Sequence, residues 1–183
     1  MKSKETNKFV LIGIPNSGKS TIGRYAAEKL QIPFYNTDKL VYERLNLDHP
    51  ARLFSSLGRF MTEHHKLETE FVELEGPAII EIYPESVLRQ SDVNIIKNIG
   101  TIIHIKRDLK NMFAEAKKKK SRLVLQDMST GKEINMQSEA IRLYAEEYHH
   151  FERLANLTLD NDGNEDEAVE KLVAMIRDYI GKS

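Results

Sequence analysis

The sequence predicts an α/β fold in three layers, a five-stranded parallel sheet with helices on both faces. Two observations carry this. Five short apolar runs (residues 9–12, 32–35, 77–80, 101–105 and 157–159) alternate with longer stretches of helical pattern, and strands joined through helices pair in parallel with both faces covered. Between the first run and the first helix lies Gly13-Ile-Pro-Asn-Ser-Gly-Lys-Ser-Thr21. It fills the pattern G-x-x-x-x-G-K-[ST] in the strand, loop, helix setting that this motif requires.

The elements follow in order. Phe9-Val-Leu-Ile12 reads as a buried strand, and Thr21 to Leu30 as a helix with Ile22, Ala26 and Leu30 on one face. Ile32-Pro-Phe-Tyr35 is a strand ending at Asn36-Thr-Asp38, with helix to about residue 45. Residues 51–74 read as largely helical, with Leu53, Leu57, Phe60, Met61, Leu67, Phe71 and Leu74 as apolar positions. Gly76-Pro77 punctuates the start of the next strand. A helix over 86–98, a strand over 101–105 and a helix over 108–120 follow, the last running into Lys117-Lys-Lys-Lys120. The stretch 121–137 is polar, contains Gly131, and reads as a loop. Helix returns over 138–153, then the last strand at Leu157-Thr-Leu159, a turn at Asp160–Asn164 and an amphipathic helix over 165–180. No linker or repeat divides the chain, so residues 1–183 are expected to form one domain.

The motif's residue types fit phosphate binding. Gly13 and Gly18 let the backbone bend around an anion with no Cβ in the way. The loop N–H groups converge as a nest, and the following helix adds the positive end of its dipole. Lys19 is expected to reach the β- and γ-phosphates and Ser20 to ligate Mg²⁺. Such a P-loop makes Gly13, Asn16, Ser17, Gly18, Lys19, Ser20 and Thr21 the candidate phosphate-binding residues.

Composition narrows the partners. The net charge of −1 gives no bulk electrostatic case for nucleic acid or an anionic membrane surface. There is no cysteine, which excludes disulfides and thiolate chemistry and fits a reducing compartment. Residues 1–8 are polar with no apolar signal core, and no run approaches a membrane span, so a cytoplasmic protein is expected.

The order of the pieces resembles the shikimate kinase family of nucleoside monophosphate kinase-like P-loop kinases. The resemblance rests on Gly13–Thr21 with Ile22-Gly23-Arg24, on Leu30-x-x-Pro-Phe-Tyr-x-x-Asp38, on the Lys/Arg-containing segment 117–123, and on Tyr144–Leu159 ending in Ala155-Asn-Leu-Thr-Leu159. It spans essentially the whole chain and is specific in the first 40 residues. It implies a three-layer P-loop kinase fold, a lid at about 117–137 and an acceptor-binding helical region at about 38–75. It also implies ATP and Mg²⁺ on Lys19 and Ser20, a small-molecule acceptor, and a monomer or weak dimer.

The family's second strand usually ends in Asp-x-Asp, the first acid helping to hold the metal and the second binding acceptor hydroxyls. Here it reads Asn36-Thr37-Asp38. Asp38 is the candidate base or acceptor ligand; a helix N-cap is the structural alternative for it. Ser121-Arg122-Leu-Val-Leu125 resembles the lid motif without its proline, which makes Arg122 the candidate for transition-state charge stabilisation, with Lys118, Lys119 and Lys120 as substitutes.

Three departures bear on the acceptor. The family's arginine after a Phe on the long helix falls near Phe60-Met61, and Arg59 is offset by one residue, a turn of roughly 100° on a helix. The glycine triad after strand three falls in Ile82-Tyr-Pro-Glu-Ser86. A second arginine falls near Glu147, where Arg142 or Arg153 could substitute only in another helix register. Carboxylates are normally clamped by arginine, so the expected acceptor is a small-molecule hydroxyl compound other than shikimate.

Other constellations are weaker. Glu81 ends the third strand, where an acid can orient metal or water. His64 and His65 stand at helical spacing from Glu68 without an evident third ligand, so acceptor-pocket or surface roles are expected rather than a metal site. Asp160–Asp166 resembles a calcium loop only in composition and is expected to be a turn near the adenine. The competing reading is a nucleotide-binding regulatory protein without transfer activity, which Asn36 and the missing glycines favour. A GTPase switch is disfavoured because no Asn-Lys-x-Asp motif occurs in the right region.

Overall fold

The structure is a computed structural model. It describes residues 7–47, 51–118, 124–126, 133–135, 141–142, 145 and 148–181. Five strands form a parallel sheet in the order β2-β3-β1-β4-β7. They are β1 (Lys8–Ile12), β2 (Phe34–Asn36), β3 (Ala78–Glu81), β4 (Thr101–Lys106) and β7 (Leu157–Asp160). The helices are α1 (Lys19–Leu30), α2 (Thr37–Arg44), α3 (Ala51–Glu73), α4 (Gln90–Ile99), α5 (Leu109–Lys118), α6 (Tyr148–Leu154) and α7 (Glu165–Ile180), with a short 3₁₀ turn at Pro84–Val87.

The central strand β1 is apolar on both sides because both faces of the sheet are covered. Val10 and Ile12 point into one core with Ile80, Ile102, Phe60 and Phe151. Phe9 and Leu11 point into the other with Ile22, Ala26, Ile103, Val169 and Leu172, beneath α1 and α7. The predicted face of α1 is partly right: Ile22 and Ala26 are fully buried, whereas Leu30 is half-buried at the helix end.

Two stretches depart from expectation. The helix read over 86–98 is a 3₁₀ turn at Pro84–Val87 followed by α4 from Gln90. Within the stretch read as a loop over 121–137, the described residues form two three-residue strands, β5 (Val124–Gln126) and β6 (Glu133–Asn135), paired antiparallel. Each strand is too short to show an alternating pattern over its own length, so periodicity gave no warning.

Lys8 shows how a charge is housed in this core. It is 3% exposed, yet its ammonium donates to the Phe71 carbonyl at 2.8 Å and the Val72 carbonyl at 2.7 Å. Those are carbonyls of the last turn of α3, where helix geometry leaves acceptors without partners and the dipole favours a cation.

Candidate active site

The P-loop occupies the turn from β1 into α1, at the carboxyl end of the central strand. Its backbone requires glycine twice. Gly13 has φ +151°, and a Cβ there would stand 2.7 Å from the Ile105 carbonyl oxygen. Gly18 has φ +98°, and its Cβ would collide with the Asn161 side-chain amide. Asn16 also has positive φ, at 63°, a conformation Asn tolerates better than most residues.

The start of α1 is bare. Gly18 is its N-cap without a side-chain hydrogen bond, and its first turn holds no acid. By contrast α7 is capped by Asn164 and opens with Glu165, Asp166 and Glu167. An uncapped helix N-terminus under a glycine-shaped loop leaves its N–H groups for an external anion. Ser17 adds a buried hydroxyl with no hydrogen-bond partner among the described residues.

Lys19 is buried and folds back over the loop, donating to the Gly13 carbonyl at 2.8 Å and the Ile14 carbonyl at 3.1 Å. Burial pushes its pKa down, against the attraction of Glu81 and Asp38. It is a buried cation, and the low local dielectric strengthens its attraction for an anion, which the nearby carboxylates oppose.

The ends of two strands and the first turn of α1 supply a polar knot beside it. Ser20, exposed in the first turn of α1, donates to Glu81 Oε1 at 2.9 Å. The Asn36 amide, at the end of β2, donates to Glu81 Oε2 at 2.6 Å. The Asn36 carbonyl oxygen accepts from the Lys39 N–H at 2.8 Å, making Asn36 the N-cap of α2. The cap role therefore falls on Asn36, and Asp38 in the first turn is released from it.

Asp38 Oδ1 is buried without a hydrogen-bond partner, although the side chain as a whole is 43% exposed. The His64 ring is close by, with Nε2 3.6 Å from Oδ1. Burial raises the Asp38 pKa to about 7; the charges of Glu81 and Glu85 add to this and Lys19 opposes it.

An aromatic wall stands beside Asp38. The Tyr83 ring stacks on His64 at 4.5 Å, Phe60 meets both edge-on, and Tyr42 packs on Phe60 at 5.4 Å. His64 is fully buried, and burial, with Arg89 nearby, holds it neutral with a pKa of about 3. Pro84 is buried beside Tyr83, which closes the backbone approach that a glycine-rich turn would leave open. Met61 packs against the apolar cluster and Arg59 is exposed.

Behind the wall lies a second polar group. His65 Nδ1 is 2.8 Å from Asp92 Oδ1, and Arg89 also pairs with Asp92. Glu68 is fully buried one turn after His64; burial raises its pKa to about 8, opposed in part by the Ser86 hydroxyl. Its folded pKa exceeds the unfolded one, so the native state holds a proton that the unfolded chain has lost. Stability is therefore lost as pH rises from about 4 through 8. Glu68→Gln should raise the melting temperature at pH 8, by stabilisation on the order of 2 kcal/mol, with the gain shrinking towards pH 5. Thermal melts of both proteins across that range check this; a pH-independent difference would contradict it. No cluster of metal-ligating side chains forms around His64 and His65 among the described residues.

The loop after β7 braces the P-loop. The Asn161 amide donates to the Ser17 carbonyl at 2.7 Å, its N–H donates to the Lys106 carbonyl at 2.7 Å, and the Arg107 guanidinium donates to the Asn16 carbonyl at 3.2 Å. Sequence reading missed Asn161 and gave Asn36 no role; an asparagine three residues ahead of Lys39 is a capping signal that could have been used. Arg122, Lys119, Lys120 and Glu147 lie outside the described residues, as do the side-chain surroundings of Lys118. Arg142 and Arg153 are exposed helical residues.

A P-loop at the end of the central strand of a 2-3-1-4-7 parallel sheet, with the Asp38 carboxylate at the start of α2 acting on its lysine, defines a P-loop kinase. A family model described as shikimate kinase matches residues 15–177. A shikimate kinase from Clostridium beijerinckii is 30% identical over 174 residues, covering 95% of this chain and 97% of the relative. The chain belongs to the shikimate kinase family, and is an ATP-dependent kinase of small molecules. Among solved structures, shikimate kinase from Acinetobacter baumannii in complex with shikimate matches with a TM-score of 0.76 at 18% identity, covering 96% of this chain and 95% of that one. A gluconokinase from Sinorhizobium meliloti matches with a TM-score of 0.59 at 14% identity, covering 97% and 94%. These two likenesses concern the fold. No described helix is long and apolar enough to cross a membrane.

Proposed function

We propose that this kinase transfers the γ-phosphate of ATP to a hydroxyl of a small molecule other than shikimate, with Asp38 as the group that orients or deprotonates that hydroxyl. The observation that carries the reading is the release of Asp38 from capping: Asn36 caps α2, and Asp38 Oδ1 is left buried and unpartnered beside the P-loop. Lys19 and the N–H groups of residues 13–21 hold the phosphates. Ser20 contributes a hard oxygen to Mg²⁺, and the neighbouring carboxylate makes the donor set suitable for that ion. A metal held there would neutralise charge on the phosphate oxygens. Arg122, from the lid, covers the transferring group and lid closure keeps water out.

The change of acceptor rests on the wall beside Asp38. Where shikimate's carboxylate would call for arginine, the chain has Met61; where close backbone approach would call for glycine, it has Tyr83 and Pro84. Glu81 and Glu85 add negative charge around Asp38, which disfavours an acidic acceptor. The test measures ADP release with Mg-ATP against shikimate, gluconate, nucleosides and nucleoside monophosphates. Stimulation by a non-shikimate hydroxyl compound is expected. Robust shikimate turnover overturns the acceptor assignment, and tight ATP binding without stimulation by any acceptor favours the regulatory reading.

A further inference from the structure

We infer that Glu81 is the carboxylate that holds the metal in this kinase, the role having moved from the end of β2 to the end of β3. This rests on the phosphotransfer reading of the same site. In the usual Asp-x-Asp arrangement the first acid stands at the position of Asn36. Here that position carries an amide, and the amide donates to Glu81 Oε2 at 2.6 Å. The other oxygen of Glu81 accepts from Ser20, the P-loop hydroxyl, at 2.9 Å. The register explains the exchange: Asn36 and Glu81 are directly paired residues of neighbouring parallel strands, so a carboxylate can be carried by either strand end.

The two substitutions depend on one another. Two carboxylates at Asn36 and Glu81 would face each other at hydrogen-bond distance, and one would have to hold a proton. An amide at one position and an acid at the other gives a single carboxyl group, with the amide donor fixing its rotamer. Its hydrogen bond from Ser20 orients the hydroxyl so that the oxygen lone pairs remain for a cation.

The charge around the knot favours a cation as well. Glu81 is 8% exposed and Glu85 lies close enough to act on Asp38, while Lys19 is the cation that acts on Asp38. The acids outnumber the cations among these groups, at the mouth of a loop shaped for phosphate. A divalent ion held by Ser20 and Glu81 would balance the excess of negative charge beside the phosphate loop.

The test is Mg²⁺-dependent ADP binding measured by calorimetry, with Mn²⁺ as a paramagnetic probe of the ternary complex. Neither readout requires an acceptor or turnover. In the unaltered protein Mg²⁺ should tighten ADP binding. Glu81→Gln retains an oxygen able to accept from Ser20 but removes the charge; it should weaken the metal-dependent gain, read as the ratio of ADP affinities with and without Mg²⁺, by about 10–100-fold. The exchanged variant Asn36→Asp/Glu81→Gln, which carries the acid on β2, should recover most of the gain and the Mn²⁺ signal. An unaltered Mg²⁺ effect in Glu81→Gln overturns the inference. So does a loss that the exchanged variant fails to recover, which would leave Glu81 a clamp on Ser20. Failure of the unaltered protein to bind ADP at all would instead strike the phosphate-loop reading.

Discussion

Lys19→Ala should lower phosphotransfer by on the order of 10³-fold, with little change in melting temperature. The ammonium is desolvated before any ligand arrives. It is buried, held by two loop carbonyls, and its pKa is already lowered by burial. A cation in that environment interacts with phosphate oxygens far more strongly than an exposed lysine would. Removing it also removes the one attraction that holds down the pKa of Asp38, so the base should ionise at higher pH. The variant should therefore lose rate twice, through weaker phosphate stabilisation and through a smaller ionised fraction of Asp38 at neutral pH. Steady-state kinetics with circular dichroism as the folding control checks the first effect. Lys19→Met, which keeps the volume, separates charge from packing. Retained turnover in both variants would remove Lys19 from the mechanism.

Asp38→Asn should lower kcat by about 10²–10⁴-fold while ATP binding is retained. The amide keeps the volume and removes a negative charge close to the phosphate loop, so nucleotide affinity should hold or improve slightly. The unaltered protein should show an acid limb in kcat/KM centred near pH 7, because Asp38 carries a proton below that value. Its ionised fraction grows tenfold per pH unit on that limb, and the rate should follow. Replacement by Asn should abolish the limb together with the rate. The linkage to stability runs the other way. The folded pKa lies above the unfolded one, so the protonated carboxyl favours the native state at low pH, and that contribution disappears as pH rises from about 4 through 7. His64 and His104 oppose it: both are buried and neutral with lowered pKa values, about 3 and about 4. They cost stability as pH falls below about 6.5, where the unfolded chain gains protons that the native state refuses.

The sheet and most helices were legible because their signals are local. The closing helix occupies Glu165–Ile180, the span read from its amphipathic pattern. The phosphate loop was legible for the same reason, with all its fixed residues in one segment. The carboxylate knot was not, because its logic is a pairing between strands: Glu81 and Asn36 are 45 residues apart, and only sheet register brings them together. Asp38 was recognised, but its release depended on whether α2 starts with Asn36 or with Asp38 as its cap, a choice that local sequence leaves open. His64 was read as a pocket or surface side chain. Its full burial follows from Tyr83 and Phe60 closing over it, and Tyr83 arrives from another strand end.

The brace from Asn161 to Ser17 has a consequence for how the protein is made. The phosphate loop is complete in sequence by residue 21, yet the bond that fixes its middle closes a separation of 144 residues. Its strand is held between β3 and β4, neither of which has been synthesised when the loop emerges. Contacts of such long separation form late, after the loop-closure entropy of the intervening chain has been overcome. A nascent chain therefore carries the motif for most of its synthesis without a nucleotide site. Competence to bind is expected only once the last strand has docked and Asn161 has closed on Ser17, so ATP should stabilise the finished protein and not its early fragments.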